Sequence, residues 1–170
     1  FLSDKQSGFL QFLQQKSDFI SGLDASYKDE ILTSKGILQQ KYQENIQVIQ
    51  GAYLNTEYLG FKVNTTQSPV SDKRIRQASN YGVDRSKMIA YLRNNIGTLA
   101  TDGFIPEGLK GRYIKGYNYD LEKAQQLVSQ YKEQTQTKEV SITLSTNASY
   151  LDIAEYLQRE WQKIGILVKI

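Results

Sequence analysis

"VSITLSTNASYLDIAEYLQREWQKIGILVKI", residues 140 to 170, is the stretch that decides the fold. Val140, Ile142 and Leu144 alternate with polar neighbours, the period of a strand with one buried face. Ser149 and Asp152 then stand at capping-box spacing, ahead of a stripe of Ile153, Leu157, Trp161 and Ile164 that fits one side of a helix. Gly165 closes that helix and "ILVKI" resumes as a strand. Strand, helix and strand in this order predict a crossover unit, and so an α/β class with a partly parallel sheet.

Working outward from there, Asp120 is placed to cap a helix carrying Leu121, Ala124, Leu127, Val128 and Tyr131 in register. Before it runs a long loop rich in Gly and Tyr, "GTLATDGFIPEGLKGRYIKGYNY". Upstream of that loop the spacing predicts two short helices. Asp72 caps one with Ile75, Ala78 and Gly82 on a single face, and Asp84 caps the next with Met88, Ile89 and Leu92. "NIQVIQGAYLNTEYLGFKVN" reads as long and extended: Ile46 and Val48 alternate with polar residues, as do Leu59, Phe61 and Val63, and Gly51 sits where a bulge or bend would fall. At the start, the pattern predicts a helix near Lys5 to Gln15 with Phe9, Phe12 and Leu13 on one face. A short strand "SDFISG" follows, then a helix through Ile31 and Leu32 capped by Asp24 or Ser26.

Composition narrows the chemistry. The 170 residues include no His and no Cys, which removes an imidazole base, a thiol nucleophile, a His/Cys metal site and a disulfide; no cofactor or metal is expected. A net charge of +3 is far from the basic balance of a phosphate-binding surface, so no nucleic acid is expected either. No apolar run approaches the roughly 18 residues of a membrane span. "FLSDKQSGFL" has neither an initiator Met nor a signal-peptide pattern, and "ILVKI" stops inside a strand, so both ends read as cut from a longer protein.

The cations of residues 71 to 95 are the remaining puzzle. Arg74, Arg76, Arg85 and Lys87 fall largely opposite the Ile75/Ala78 and Met88/Ile89 faces, which predicts a solvated helix surface with Asp72 and Asp84 close enough to pair. The stretch "YLGFKVNTTQSPVSDKRIRQASNYGVDRSKMI", together with "GTLATDGFIPEG", "YNYDLEKAQQLV" and "IAEYLQREWQKIGILVKI", resembles the extracellular oligopeptide- and dipeptide-binding proteins (family 5) of bacterial ABC importers. The shared marks are a Tyr-rich strand ending in Asn, a Pro-containing loop, Asp before an Ile-Arg-Gln-Ala helix, and an acidic-basic helix start. Glu107 and Leu121 stand where that family often has Pro.

The resemblance, continuous from about Asp18 to Ile170, implies a periplasmic-binding-protein-like α/β fold with a mixed sheet flanked by helices, truncated at both ends. Residues 1 to 54 would be the tail of lobe I, up to the first hinge crossing, and 55 to 170 most of the ligand-binding lobe II. It implies no enzyme. The expected partners are a peptide or related small-molecule ligand and an ABC permease in the membrane, with a monomer when intact and a periplasmic or extracytoplasmic location. A lipid anchor would depend on an N-terminal Cys. By the same alignment Ser21 and Gly22 in "FISGLD", Asn55 and Glu57 on the crossing, and Asn147 and Tyr150 in "STNASY" reach the cleft. The family's acidic grip on a peptide amino terminus falls downstream of Ile170. Two other readings compete: a carboxylate-pair enzyme such as a glycosidase, with Asp24 and Glu57 as the pair, and a ligand-sensing regulatory domain.

Overall fold

A computed structural model describes residues 5–23, 27–51, 54–65, 68–101, 103–106, 109–111 and 114–170. The chain divides into two compact units, one of residues 1–50 with 89–97 and one of 51–88 with 98–170.

In the first unit, helix α1 (Lys5–Leu13) and the single turn α2 (Lys28–Ile31) close on a small core of Phe9, Ile31 and Leu32, with the Phe9 and Tyr27 rings 4.7 Å apart. The predicted first helix is present. The strand "SDFISG" is not: these residues bend without a ladder, and Phe19 is 75% exposed. The helix expected through Leu32 ends at Ile31, because Leu32 turns into an antiparallel bridge with Leu38. Its proposed caps, Asp24 and Ser26, lie outside the described residues. Residues 94 and 95 belong to this unit in left-handed conformation (φ 48° and 60°), which Asn tolerates better than most side chains. Asn94 is buried and fully bonded: Nδ2 donates to Asp29 Oδ1 and Thr33 O at 3.1 Å, and Oδ1 accepts from Lys28 Nζ at 2.9 Å.

The second unit is built on β1 (Val140–Thr143) and β2 (Ile166–Lys169), paired in parallel with Val140 opposite Ile166 and Thr143 opposite Lys169. Parallel strands need a crossover, and α6 (Leu151–Gln162) supplies it. The expected stripe faces inward: Leu157, Trp161 and Ile164 are buried, and Trp161 Nε1 donates to Ser79 O at 2.9 Å. Helix α3 (Lys73–Tyr81) packs on α5 (Leu121–Thr135), burying Ile75 and Ala78 together with Ala124 and Val128. Their caps are those expected from sequence. Asp72 accepts from Arg74 N at 2.8 Å, and Asp120 accepts from Lys123 N at 2.9 Å. Helix α4 (Arg85–Arg93) starts on Asp84, whose Oδ1 accepts from Lys87 N at 3.0 Å. Gly82 ends α3 against Ile164; a Cβ there would lie 2.8 Å from Ile164 Cδ1, so the helix can end this close only without a side chain.

Three expectations change. The Ser149–Asp152 capping box does not form. Asn147 instead accepts from Ser149 N at 3.0 Å, opening a 3-10 turn (Ala148–Tyr150), while Asp152 Oδ1 bonds Ile153 N at 2.8 Å. The extended segments around residues 46–50 and 54–65 pair with no strand among the described residues, so of the expected sheet the described residues form two strands, both parallel. Finally, the expected pairing of the α3–α4 cations with Asp72 and Asp84 forms, but Arg74, Arg76 and Arg85 are half-buried and bonded rather than a solvated face. Arg74 pairs with Asp72 at 2.7 Å and reaches Gln130 O and Gln134 on α5, and Arg76 Nη1 donates to Val70 O and Ser71 O at 2.8 Å. Lys87 alone of the four stays exposed.

Candidate functional site

An open groove of about 1350 Å³ runs through the second unit. Three of the parts that line it carry the expected residues and an apolar wall. The first is the extended segment after residue 54, which presents Asn55 and Glu57 because an unpaired extended chain leaves both of its faces free. The second is the C-terminal end of β1. There the chain leaves the ladder after Leu144 N donates to Lys169 O at 2.8 Å and turns into α6, placing Asn147 and Tyr150 at the groove. The third is the apolar wall, to which Leu157 and Trp161 of α6 contribute.

Four of the six residues expected to meet ligand therefore line one cavity. Tyr150, 41% exposed, donates its hydroxyl to Glu57 Oε1 at 3.4 Å across 93 positions of sequence. Asn147 Oδ1 is held by Ser149 N, which leaves its amide N–H groups toward solvent. Ser21 and Gly22 lie in the other unit, exposed and outside this groove. Gly22 has φ of 77°, a bend that favours glycine and interrupts the extended backbone needed for strand-like pairing.

The structure adds residues that the sequence did not single out. Tyr58 and Phe104, both mostly exposed, stack tilted at 4.8 Å and line the groove together. Phe104 sits in the Gly-rich loop, whose unusual length was the available signal. Arg85 also lines the groove, half-buried, with its guanidinium on Asn80 O and Asn80 Oδ1 at 3.1 Å each; burial pushes its pKa below the ordinary arginine range. No cluster of three or more Asp or Glu able to hold a metal occurs among the described residues. Of the imagined glycosidase pair, Asp24 lies outside the described residues and Glu57 is engaged by Tyr150. The surface of such a groove can hold a small polar solute by hydrogen bonds from a carboxylate, an amide and a phenol, with aromatic faces beside them.

The family model for bacterial extracellular solute-binding proteins, family 5 (middle region), matches residues 1–170. The chain belongs to that family. It is 30% identical over 143 residues to the dipeptide-binding protein of Escherichia coli K12, a match covering 79% of this chain and 26% of that protein. It is 29% identical over 135 residues to heme-binding protein A of Haemophilus influenzae, covering 76% of this chain and 24% of that one. Among solved structures, the oligopeptide-binding protein AppA of Bacillus subtilis in complex with a nonapeptide superposes with a TM-score of 0.66 at 20% identity, over 99% of this chain and 34% of that chain. The fold is thus that of periplasmic-binding-protein-like solute binders. The chain spans about a quarter of the length of the curated relatives it matches. These relatives are named as binding proteins rather than enzymes, and the family is an extracellular one.

Proposed function

We propose that this chain is the middle part of the substrate-binding component of an ABC importer, which captures a peptide or related small solute outside the cytoplasmic membrane and hands it to a membrane permease without chemical change. One observation carries the reading. The groove of the second unit gathers Asn55, Glu57, Asn147 and Tyr150 from segments far apart in sequence, in a chain whose full length matches a solute-binding family. In this reading Glu57 and the Tyr150 hydroxyl hold a donor on the ligand, and Asn147 supplies amide N–H groups to a ligand carbonyl. Ser21 and Gly22 act from lobe I, with residues 1 to 54 as the tail of that lobe and 55 to 170 as most of lobe II. Support for that division comes from the break between the two compact units after Gln50, although residues 89–97 join the first unit. A peptide is the favoured solute because the E. coli relative and AppA are named for peptides; the H. influenzae relative is named for heme.

Ligand can drive lobe closure only as far as it binds the closed form better than the open one, so contacts from both lobes are required. The test is a thermal melt of the full-length protein, monomeric and purified free of ligand, with a mixed di- to pentapeptide pool. Occupancy at 100 times the dissociation constant stabilises a fold by about 2.7 kcal/mol, a readable upward shift. The 170-residue chain alone is expected to shift little. No shift in the full-length protein, together with hydrolysis of chromogenic glycosides abolished by Glu57→Gln, would overturn the binding reading in favour of an enzyme.

A further inference from the structure

The groove contains a cation that no acid among the described residues balances. Arg85 is half-buried, and among the described residues its polar contacts are with Asn80, from Nη1 to the backbone oxygen and from Nη2 to Oδ1. No carboxylate among the described residues pairs with it. The adjacent acid, Asp84, is turned to other donors: Oδ1 accepts from Lys87 N and Oδ2 lies 3.4 Å from Lys87 Nζ. The contrast with its neighbours is direct, since Arg74 has Asp72 at 2.7 Å and Lys87 has Asp84. Removing a guanidinium from water without an anion is costly, and two neutral acceptors offset that only in part. Of its five N–H donors two are in use, which leaves Nε and one hydrogen on each terminal nitrogen, a planar fork suited to the two oxygens of a carboxylate. The same groove is lined by Val83, Met88, Ile153 and Leu157, all apolar.

We infer that Arg85 is an anion subsite of the groove, taking the carboxylate of a small organic ligand whose neighbouring apolar group packs on Met88 and Leu157. This rests on the groove being a ligand site, as proposed above. A single planar fork matches one carboxylate, whereas a phosphate carries more charge than one arginine balances. The burial that lowers the affinity of Arg85 for its own proton also strengthens its pull on an incoming anion, because both follow from lost solvent screening.

The test uses the full-length protein, stripped of ligand, and two probes that differ only in one terminal group, a carboxylate in N-acetyl-L-leucine and a neutral carboxamide in N-acetyl-L-leucinamide, titrated by calorimetry. The acid is expected to bind about tenfold more tightly than the amide, the size of a charge-assisted hydrogen-bond pair. Arg85→Gln should bring that ratio to about one, and Arg85→Lys should keep part of it. Because Arg85 also ties the end of α3, the variants are expected to lose stability. The wild-type acid-to-amide ratio, and a shift of the Arg85 side-chain Nε–H resonance with the acid alone, therefore decide the matter without any substitution. Equal binding of both probes, no binding of either, or a preference that survives Arg85→Gln in a folded variant would overturn the subsite. If the subsite fails while the peptide pool still raises the melting temperature, the solute-binding reading stands on its own.

Discussion

Residues 98–119 and 120–170 belong to the same unit, are both rich in apolar side chains, and dispose of them in opposite ways. In the later stretch Ala124, Val128, Val140, Ala154, Trp161 and Ile166 are all nearly inaccessible. In the earlier one Leu99, Phe104, Ile105, Leu109 and Ile114 each keep 40% or more of their surface exposed. Hydrophobicity does not separate them; backbone pairing does. Asp120 starts a helix, β1 and β2 close a ladder, and each pairing fixes a period that turns apolar residues to one side. The described residues of the loop show no such period. The loop is held instead by single backbone contacts such as Gly116 N to Thr101 O at 2.7 Å, an approach so close that a Cβ on Gly116 would sit 2.2 Å from that oxygen. A segment with no regular face leaves its apolar groups available, and one of them, Phe104, lines the groove.

The comparison can be broken most forcefully at Trp161. Its indole is 3% exposed and bonded to Ser79 O, so Trp161→Ala should destabilise the chain by about 3–5 kcal/mol in urea unfolding. A loss below about 1 kcal/mol would mean that the later stretch is no better packed than the loop. An intermediate effect is expected at the α3 cap. Asp72→Ala removes the acceptor for Arg74 N and the ion pair with Arg74, at a cost of about 1 kcal/mol. The Arg74 side chain beside Asp72 holds its carboxyl below the ordinary value of 3.8. The folded state thus gives up that proton more readily than the unfolded chain. The stabilisation is complete above the unfolded value and is lost as pH falls through the lower folded one. Unfolding followed from pH 6 down to about 2 should show that decline in the wild type and a shallower one in Asp72→Ala. The smallest effect belongs to the loop: Ile114→Ser, at a residue 64% exposed, should change stability by less than about 0.5 kcal/mol. A larger loss would show that the loop is packed after all.

Legibility followed the range of the interaction. The caps at Asp72, Asp84 and Asp120 and the stripe on α6 could be read directly, because a cap and its target are separated by two or three residues. The capping box that the spacing at Ser149 predicts does not form. Asn147, two residues earlier, offers an acceptor to Ser149 N, and the chain takes a 3-10 turn before the helix; two local solutions competed and sequence spacing alone did not rank them. Alternation at Ile46/Val48 and Leu59/Phe61/Val63 predicted strands, but alternation specifies only which side chains share a face. A strand also needs a partner, and none pairs with these residues among those described.

The site shows the same limit at longer range. Candidate residues in "STNASY" and on the crossing were found by position in a resembling pattern, yet the Tyr150–Glu57 contact spans 93 residues and follows from no local period. The basic helices predict a solvated face, because charge opposite an apolar stripe normally points to water. Whether Arg76 would reach the carbonyls of Val70 and Ser71, or Arg85 those of Asn80, depends on where the chain folds back.

By itself the sequence determined α3, α4 and α5 with their caps, the β1–α6–β2 order, the family pattern, and the absence of imidazole and thiol side chains, since each of these is settled by residue identity or by neighbours within one turn. Only the tertiary structure decided which extended segments stay unpaired, which cations lose their water, and which side chains meet around the groove. Those outcomes depend on burial and on contacts between distant segments, and burial is a property of the packed chain rather than of any stretch within it.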